Sequence, residues 1–72
     1  MPSDVRFAEL RTLLELHGWT LDRIKGSHHH FRGKDRKPFS IPVHRGKVKW
    51  FYAKQVHDAI SEFKRPSGPT GG

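Results

Sequence analysis

No cysteine occurs in the chain, so a disulfide framework and a thiolate metal site are both excluded. Hydrophobic residues are few, at 33%, and no apolar run approaches the ~20 residues that a membrane-spanning helix needs. The start also lacks the pattern of a secretory signal. These absences lead us to expect a cytoplasmic protein without membrane contact. Acidic residues are scarce: seven Asp and Glu stand against fourteen Lys and Arg, for a formal charge of +7. Seventy-two residues allow one small domain. A domain of this size buries only about 60% of its unfolded surface, so without staples it has modest stability and gains from a partner.

What hydrophobic content there is comes in large pieces. Five Phe, two Trp and one Tyr can anchor a compact core, which argues against a wholly disordered chain. The positive charge is concentrated in Arg23, Lys25, Arg32, Lys34, Arg36, Lys37, Arg45, Lys47 and Lys49, with only Asp22 and Asp35 among them. Such an island attracts phosphate backbones by counterion release, whatever their sequence. A solvated, solubilising surface would have the same composition.

Ser3 reads as the N-cap of a first helix, with Asp4 placed against the positive end of its dipole. Phe7, Leu10, Leu13, Leu14 and His17 follow at helical spacing, and Gly18 ends the helix. Trp19 to Lys25 reads as a strand, Gly26-Ser27 as a corner, His28 to Arg32 as a second strand, and Gly33 to Lys37 as a hairpin loop. Pro38 opens a third strand in which Phe39, Ile41 and Val43 alternate with Ser40, Pro42 and His44. Because Pro42 cannot donate a ladder hydrogen bond, that strand is expected at an edge or ends there. Arg45-Gly46-Lys47 is a basic loop, and Tyr52, Val56, Ala59, Ile60 and Phe63 mark a second helix. The spacing thus predicts an α+β domain over residues 1–63, α-β-β-β-α, with two helices on one face of a three-stranded antiparallel sheet. Residues 64–72 hold no core former and read as a flexible tail.

Chemistry concentrates at Lys25-Gly26-Ser27-His28-His29-His30-Phe31-Arg32 and at Pro42-Val43-His44. Imidazole, with an ordinary pKa of about 6.5, is the side chain best suited to moving protons near neutral pH. Cations beside it suggest a polyanionic substrate, and the combination suggests chemistry on RNA. Strand alternation puts His28 and His30 on one face and His29 with Phe31 on the other. If Phe31 faces the helices, His29 lies at the rim of the core, where a structural role is also open to it. His28 reads as a phosphate contact or alternative acid, His30 as a solvated strand residue, and His44 as a possible assistant. His17 and His57 read as helix-surface or helix-end residues. Zinc usually takes three or four ligands, and here only Asp35 and the distant Asp58 and Glu62 could join imidazoles that point apart. Neither a metal nor a cofactor is therefore expected. Trp50, Phe51 and Tyr52 read as core or partner surface.

Gly18-Trp19, Lys25-Gly26-Ser27-His28-His29 with Phe31-Arg32, Ile41-Pro42-Val43-His44 and Gly46-Lys47 together resemble the HicA (YcfA-like) toxins. These are small ribonucleases of bacterial toxin–antitoxin modules, with a fold like the double-stranded RNA-binding domain. The resemblance spans roughly residues 4 to 63 and keeps the order of every motif. It differs at His30, where the family commonly has an apolar residue, and in the aromatic run from Val48 to Tyr52. It implies a type II toxin that cleaves mRNA without metal, with His29, the last residue of Gly-Ser-x-His, as the catalytic acid/base. Lys25, Ser27, His28, Arg32, Lys37 and Arg45 are the expected RNA contacts, with Lys25 and Arg32 close to His29. A HicB-like antitoxin covering the site is the implied partner, and oligomers are expected only through that complex. A non-catalytic RNA-binding module of the same fold, or a small interaction protein keeping only the partner surface, are the other readings.

Overall fold

The computed structural model describes residues 4–64, with side chains as far as Glu62. Its elements are β1 (Asp4–Arg6), α1 (Phe7–Leu16), β2 (Thr20–Lys25), β3 (His28–Gly33), β4 (Arg36–Pro42), β5 (Lys47–Lys49) and α2 (Trp50–Lys64). Strands β2, β3 and β4 form an antiparallel sheet in that order, as the periodicity predicts. Both helices supply buried residues to the core on one face of it. Leu10 and Leu14, one turn apart on α1, meet Trp19, Phe31 and Ile41 of the sheet side and Ala53, Val56 and Ile60 of α2. Each buried Leu, Ile, Val or Phe among them stabilises the fold by roughly 1.5–3 kcal/mol.

The start of the chain differs from the sequence reading. Asp4 to Arg6 do not begin a helix; they pair antiparallel with β5, Asp4 opposite Lys49 and Val5 opposite Val48. Val48 is fully buried there, so an apolar side chain anchors a three-residue pairing in which Asp4 opposite Lys49 is offset by Arg6 opposite Lys47. The helix starts at Phe7 with Arg6 at the N-cap position and no side-chain cap; the Phe7 N–H donates instead to the Gly46 carbonyl at 2.8 Å. Ser3 lies outside the described residues, as does the expected tail over 64–72 except Lys64, which closes α2.

The far end of α1 follows the sequence. Gly18 (φ +99°) terminates it with a paired set of backbone bonds, Gly18 N–H to Glu15 O at 3.3 Å and Trp19 N–H to Leu14 O at 2.9 Å. The loop expected from Gly33 to Lys37 is tighter: Lys34-Asp35 alone turn the chain, with Asp35 at φ +58°, and Arg36 already belongs to β4. That residue reaches back across the end of α1. Its Nε donates to the His17 carbonyl at 2.8 Å, one of its terminal nitrogens donates to Lys34 O at 2.9 Å, and its guanidinium lies 5.6 Å from the Trp19 ring. Trp19 in turn donates its indole N–H to the Lys37 carbonyl at 2.8 Å.

Strand β4 forms one edge of the sheet and ends at Pro42, which meets both sequence expectations for that proline. Since Val43 N–H donates inward to Ser27 O at 2.8 Å, alternation turns the backbone of Pro42 outward. The missing N–H therefore falls on the free edge and blunts it.

Candidate active site

Two turns and a helix N-terminus converge at the Gly26-Ser27 end of the sheet. Gly26, at φ +59°, takes the first central position of the two-residue hairpin turn between β2 and β3. Arg45 and Gly46, both at positive φ (53° and 74°), turn the chain between His44 and Lys47, which exchange backbone bonds of 2.9 Å in each direction. The N-terminus of α1 closes the group, because Phe7 N–H is held by Gly46 O.

His29 sits at the centre of this convergence. Its cross-strand neighbours are Ile24 and Ile41, which places its ring on the helix-covered face, half-buried at the rim of the core. The Phe7 ring packs against it with centroids 4.6 Å apart and planes tilted by 59°. Its Nδ1 lies 3.1 Å from the Ser27 carbonyl oxygen. A carbonyl can only accept, so Nδ1 carries the proton in this contact. Nε2 is then the nitrogen that keeps the lone pair of the neutral ring. Ser27 acts through its backbone: the one carbonyl receives His29 Nδ1–H and Val43 N–H together.

The other expected residues divide by face. Lys25 and His28 are cross-strand partners on the open face, opposite to His29. Arg32 is also on the open face, three residues along β3, with a guanidinium nitrogen 3.8 Å from the Asp22 carboxylate. Lys25 and Arg32 therefore do not flank His29 as expected: alternation sends them through the other side of the sheet. Lys37 lies four residues along β4 from Ile41, the neighbour of His29, which is about 13 Å. Arg45 is at the convergence, and so is the exposed His44. His17 is a helix-end residue, its Nδ1 2.9 Å from Leu13 O. Among the described residues no three His, Asp or Glu side chains come together as a metal site would need. Phe7 is the site residue the sequence reading missed, since its spacing marks only a core stripe.

With this geometry in hand, the comparison with known families is decisive at one level. The sequence model described as "HicA toxin of bacterial toxin-antitoxin" matches residues 7–56, well over half of the chain. The chain belongs to the HicA toxin family. It is thus a toxin of a bacterial toxin–antitoxin module, and an antitoxin is its expected counterpart. No curated protein and no solved structure gives a significant match. Among the described residues of the toxin, no helix is long and apolar enough to cross a membrane.

Proposed function

We propose that this toxin is an endoribonuclease that cuts mRNA with a histidine of the Gly-Ser-His-His corner as its proton-transfer group, and that a HicB-like antitoxin neutralises it by covering that corner. Family membership supports the substrate class, and one observation carries the assignment of His29. Its ring is held by Phe7 on one side and by the Ser27 carbonyl at Nδ1, so that Nε2 alone is left to exchange protons. In the step we propose, Nε2 takes the proton of a ribose 2′-hydroxyl. The 2′-oxygen bonds to the adjacent phosphorus, and the bond to the 5′-oxygen breaks. That oxygen takes up a proton returned from Nε2–H of the imidazolium, directly or through water, and a 2′,3′-cyclic phosphate remains. Arg45, on the turn joined to α1, is the cation we assign to the charge that builds on phosphorus. Positioned proton transfer contributes about 10²–10⁴-fold, which fits a slow enzyme whose targets are many.

His28 supports a second reading, because its ring is exposed and its cross-strand neighbour is Lys25. Incubating the toxin, His29→Ala and His28→Ala with a long single-stranded RNA in EDTA distinguishes the two. Fragments from the wild type and His28→Ala, with at least a hundredfold loss in His29→Ala, are the expected outcome. Loss in His28→Ala alone transfers the role to that residue. Intact RNA in every lane, shifted in mobility, leaves a binding module in place of an enzyme.

A further inference from the structure

His28 and His30, with the cations that do not flank His29, share the other face of the sheet. The face of the sheet that neither helix covers carries Lys25 beside His28 and Pro42, then Arg23 beside His30 and Ser40, then Thr20 beside Arg32. Three of these are permanent cations, and the acid closest to them is Asp22, engaged with Arg32 at 3.8 Å. The row from His28 to Arg32 runs about 13 Å from the corner, with side chains repeating every ~6.6 Å on this face. A shallow depression of about 330 Å³, lined by Arg23, His30, Arg32, Pro38 and Ser40 among others, lies along it.

The face also lacks something. Among the described residues, the large exposed apolar side chains are Leu16, Ile24, Trp50 and Phe51, and none of them is on it: Ile24 shares the helix-covered side with His29, and the others belong to the helices. A protein interface draws its binding energy from buried aromatic and apolar anchors, whereas a sheet that stacks bases presents aromatic rings. Among the described residues no large apolar anchor and no Phe, Tyr or Trp ring is exposed on this face; its rings are the imidazoles of His28 and His30. What is present suits the repeated phosphodiesters of a nucleic-acid backbone.

We infer that the open face of the sheet is a backbone-binding track for single-stranded RNA, continuous with the corner, in which Arg23, Lys25 and Arg32 hold phosphates without reading bases. This rests on the proposed action on RNA and extends it to a second surface. The track positions the strand and leaves the proton transfer to the corner.

The test is fluorescence anisotropy with a labelled 2′-O-methyl oligoribonucleotide, which lacks the attacking hydroxyl and so survives. The wild type, an Arg23→Gln/Arg32→Gln double variant and Ser40→Arg are titrated between about 50 and 200 mM salt. All three changed side chains are exposed, so the fold is expected to persist, and thermal melting checks it. The double variant should bind at least tenfold more weakly, with a salt slope shallower by about 1.4, or 0.7 per lost phosphate contact on a single strand. Ser40→Arg, which adds a cation to the track, should bind more tightly and with a steeper slope. Unchanged binding in both variants, with the wild type still binding and cutting RNA, overturns the track while leaving the ribonuclease intact. No binding by the wild type, and no cutting of ordinary RNA, overturns both. Unchanged RNA affinity with lost binding of poly-glutamate assigns the face to an acidic protein segment and overturns the RNA track.

Discussion

At one end of the three-stranded sheet two glycines are walled in; at the other, two glycines face open space. A Cβ on Gly33 would clash with the Gly18 carbonyl oxygen, and one on Gly18 with the Arg36 guanidinium. Around Gly26 and Gly46 no atom of the described residues lies within 4 Å of where a Cβ would be. The closed end is bound by Arg36, Trp19 and the end of α1, with three side-chain bonds to backbone carbonyls at 2.8 to 2.9 Å. The open end holds His29, Ser27 and the Arg45 turn. Side chains fix the closed end, whereas backbone bonds of the turns hold the open end and leave space around its two glycines. That separation is what allows a small domain to expose an imidazole site without losing its structure.

The strongest way to break the comparison is to add the same methyl group at each end. Gly33→Ala sets a side chain against a backbone carbonyl that cannot rotate away, so a loss of about 3 kcal/mol is expected, at the upper end of overpacking costs. A chain of 72 residues has only about 5 kcal/mol to lose, so a Tm drop of ~12–24 °C or outright unfolding should follow. Gly26→Ala meets no atom and carries only the left-handed backbone penalty of about 1 kcal/mol. Its melting temperature should fall by only ~4–8 °C. Equal drops in a calorimetric or circular-dichroism melt would show that the two ends are not built differently.

Arg36 comes next. The last turn of α1 has no basic residue of its own, and the guanidinium from β4 supplies the missing positive charge at the His17 carbonyl. Arg36→Ala removes two charge-assisted bonds and the stacking on Trp19, and about 2 kcal/mol of stability should go with them. Cleavage per folded molecule should be unchanged, since Arg36 lies at the opposite end of the sheet from His29. Loss of activity beyond the loss of folded protein would mean that the two ends are coupled.

Much of this was legible in the residues, and the exceptions have physical causes. Periodicity places both helices and the three main strands, and Gly18, Gly26 and Pro42 occupy the positions their backbone chemistry demands. Parity along β3 separates His29 from Arg32, whereas the side on which Lys25 falls depends on hairpin register, which one strand alone does not reveal. The β1–β5 pairing was hidden because three residues carry no period and their partners lie some forty positions away. The role of Arg36 was hidden for the same reason: in sequence it is one cation among fourteen, and only the fold brings it over Trp19. His29 could be placed near the core rim by its alternation with Phe31. Its contact with Phe7 required the docking of α1.

The smallest effect sharpens the comparison most, because stability and activity should move in opposite directions. Arg45 is a long side chain held at φ +53° in a turn whose two central residues are both left-handed, a geometry that favours Asn-Gly. Nothing in its backbone bonding calls for arginine, and a bulky residue in that region carries a conformational cost. Arg45→Asn should therefore raise the stability by about 0.5–1 kcal/mol, or a few degrees in Tm. If the guanidinium meets the scissile phosphate, cleavage should fall about tenfold or more, the equivalent of one charge-assisted contact. A variant that is both more stable and fully active would remove Arg45 from the site. A variant that is more stable and slower would mean that the left-handed arginine is kept for its charge, at a conformational cost the closed end of the sheet is rigid enough to bear.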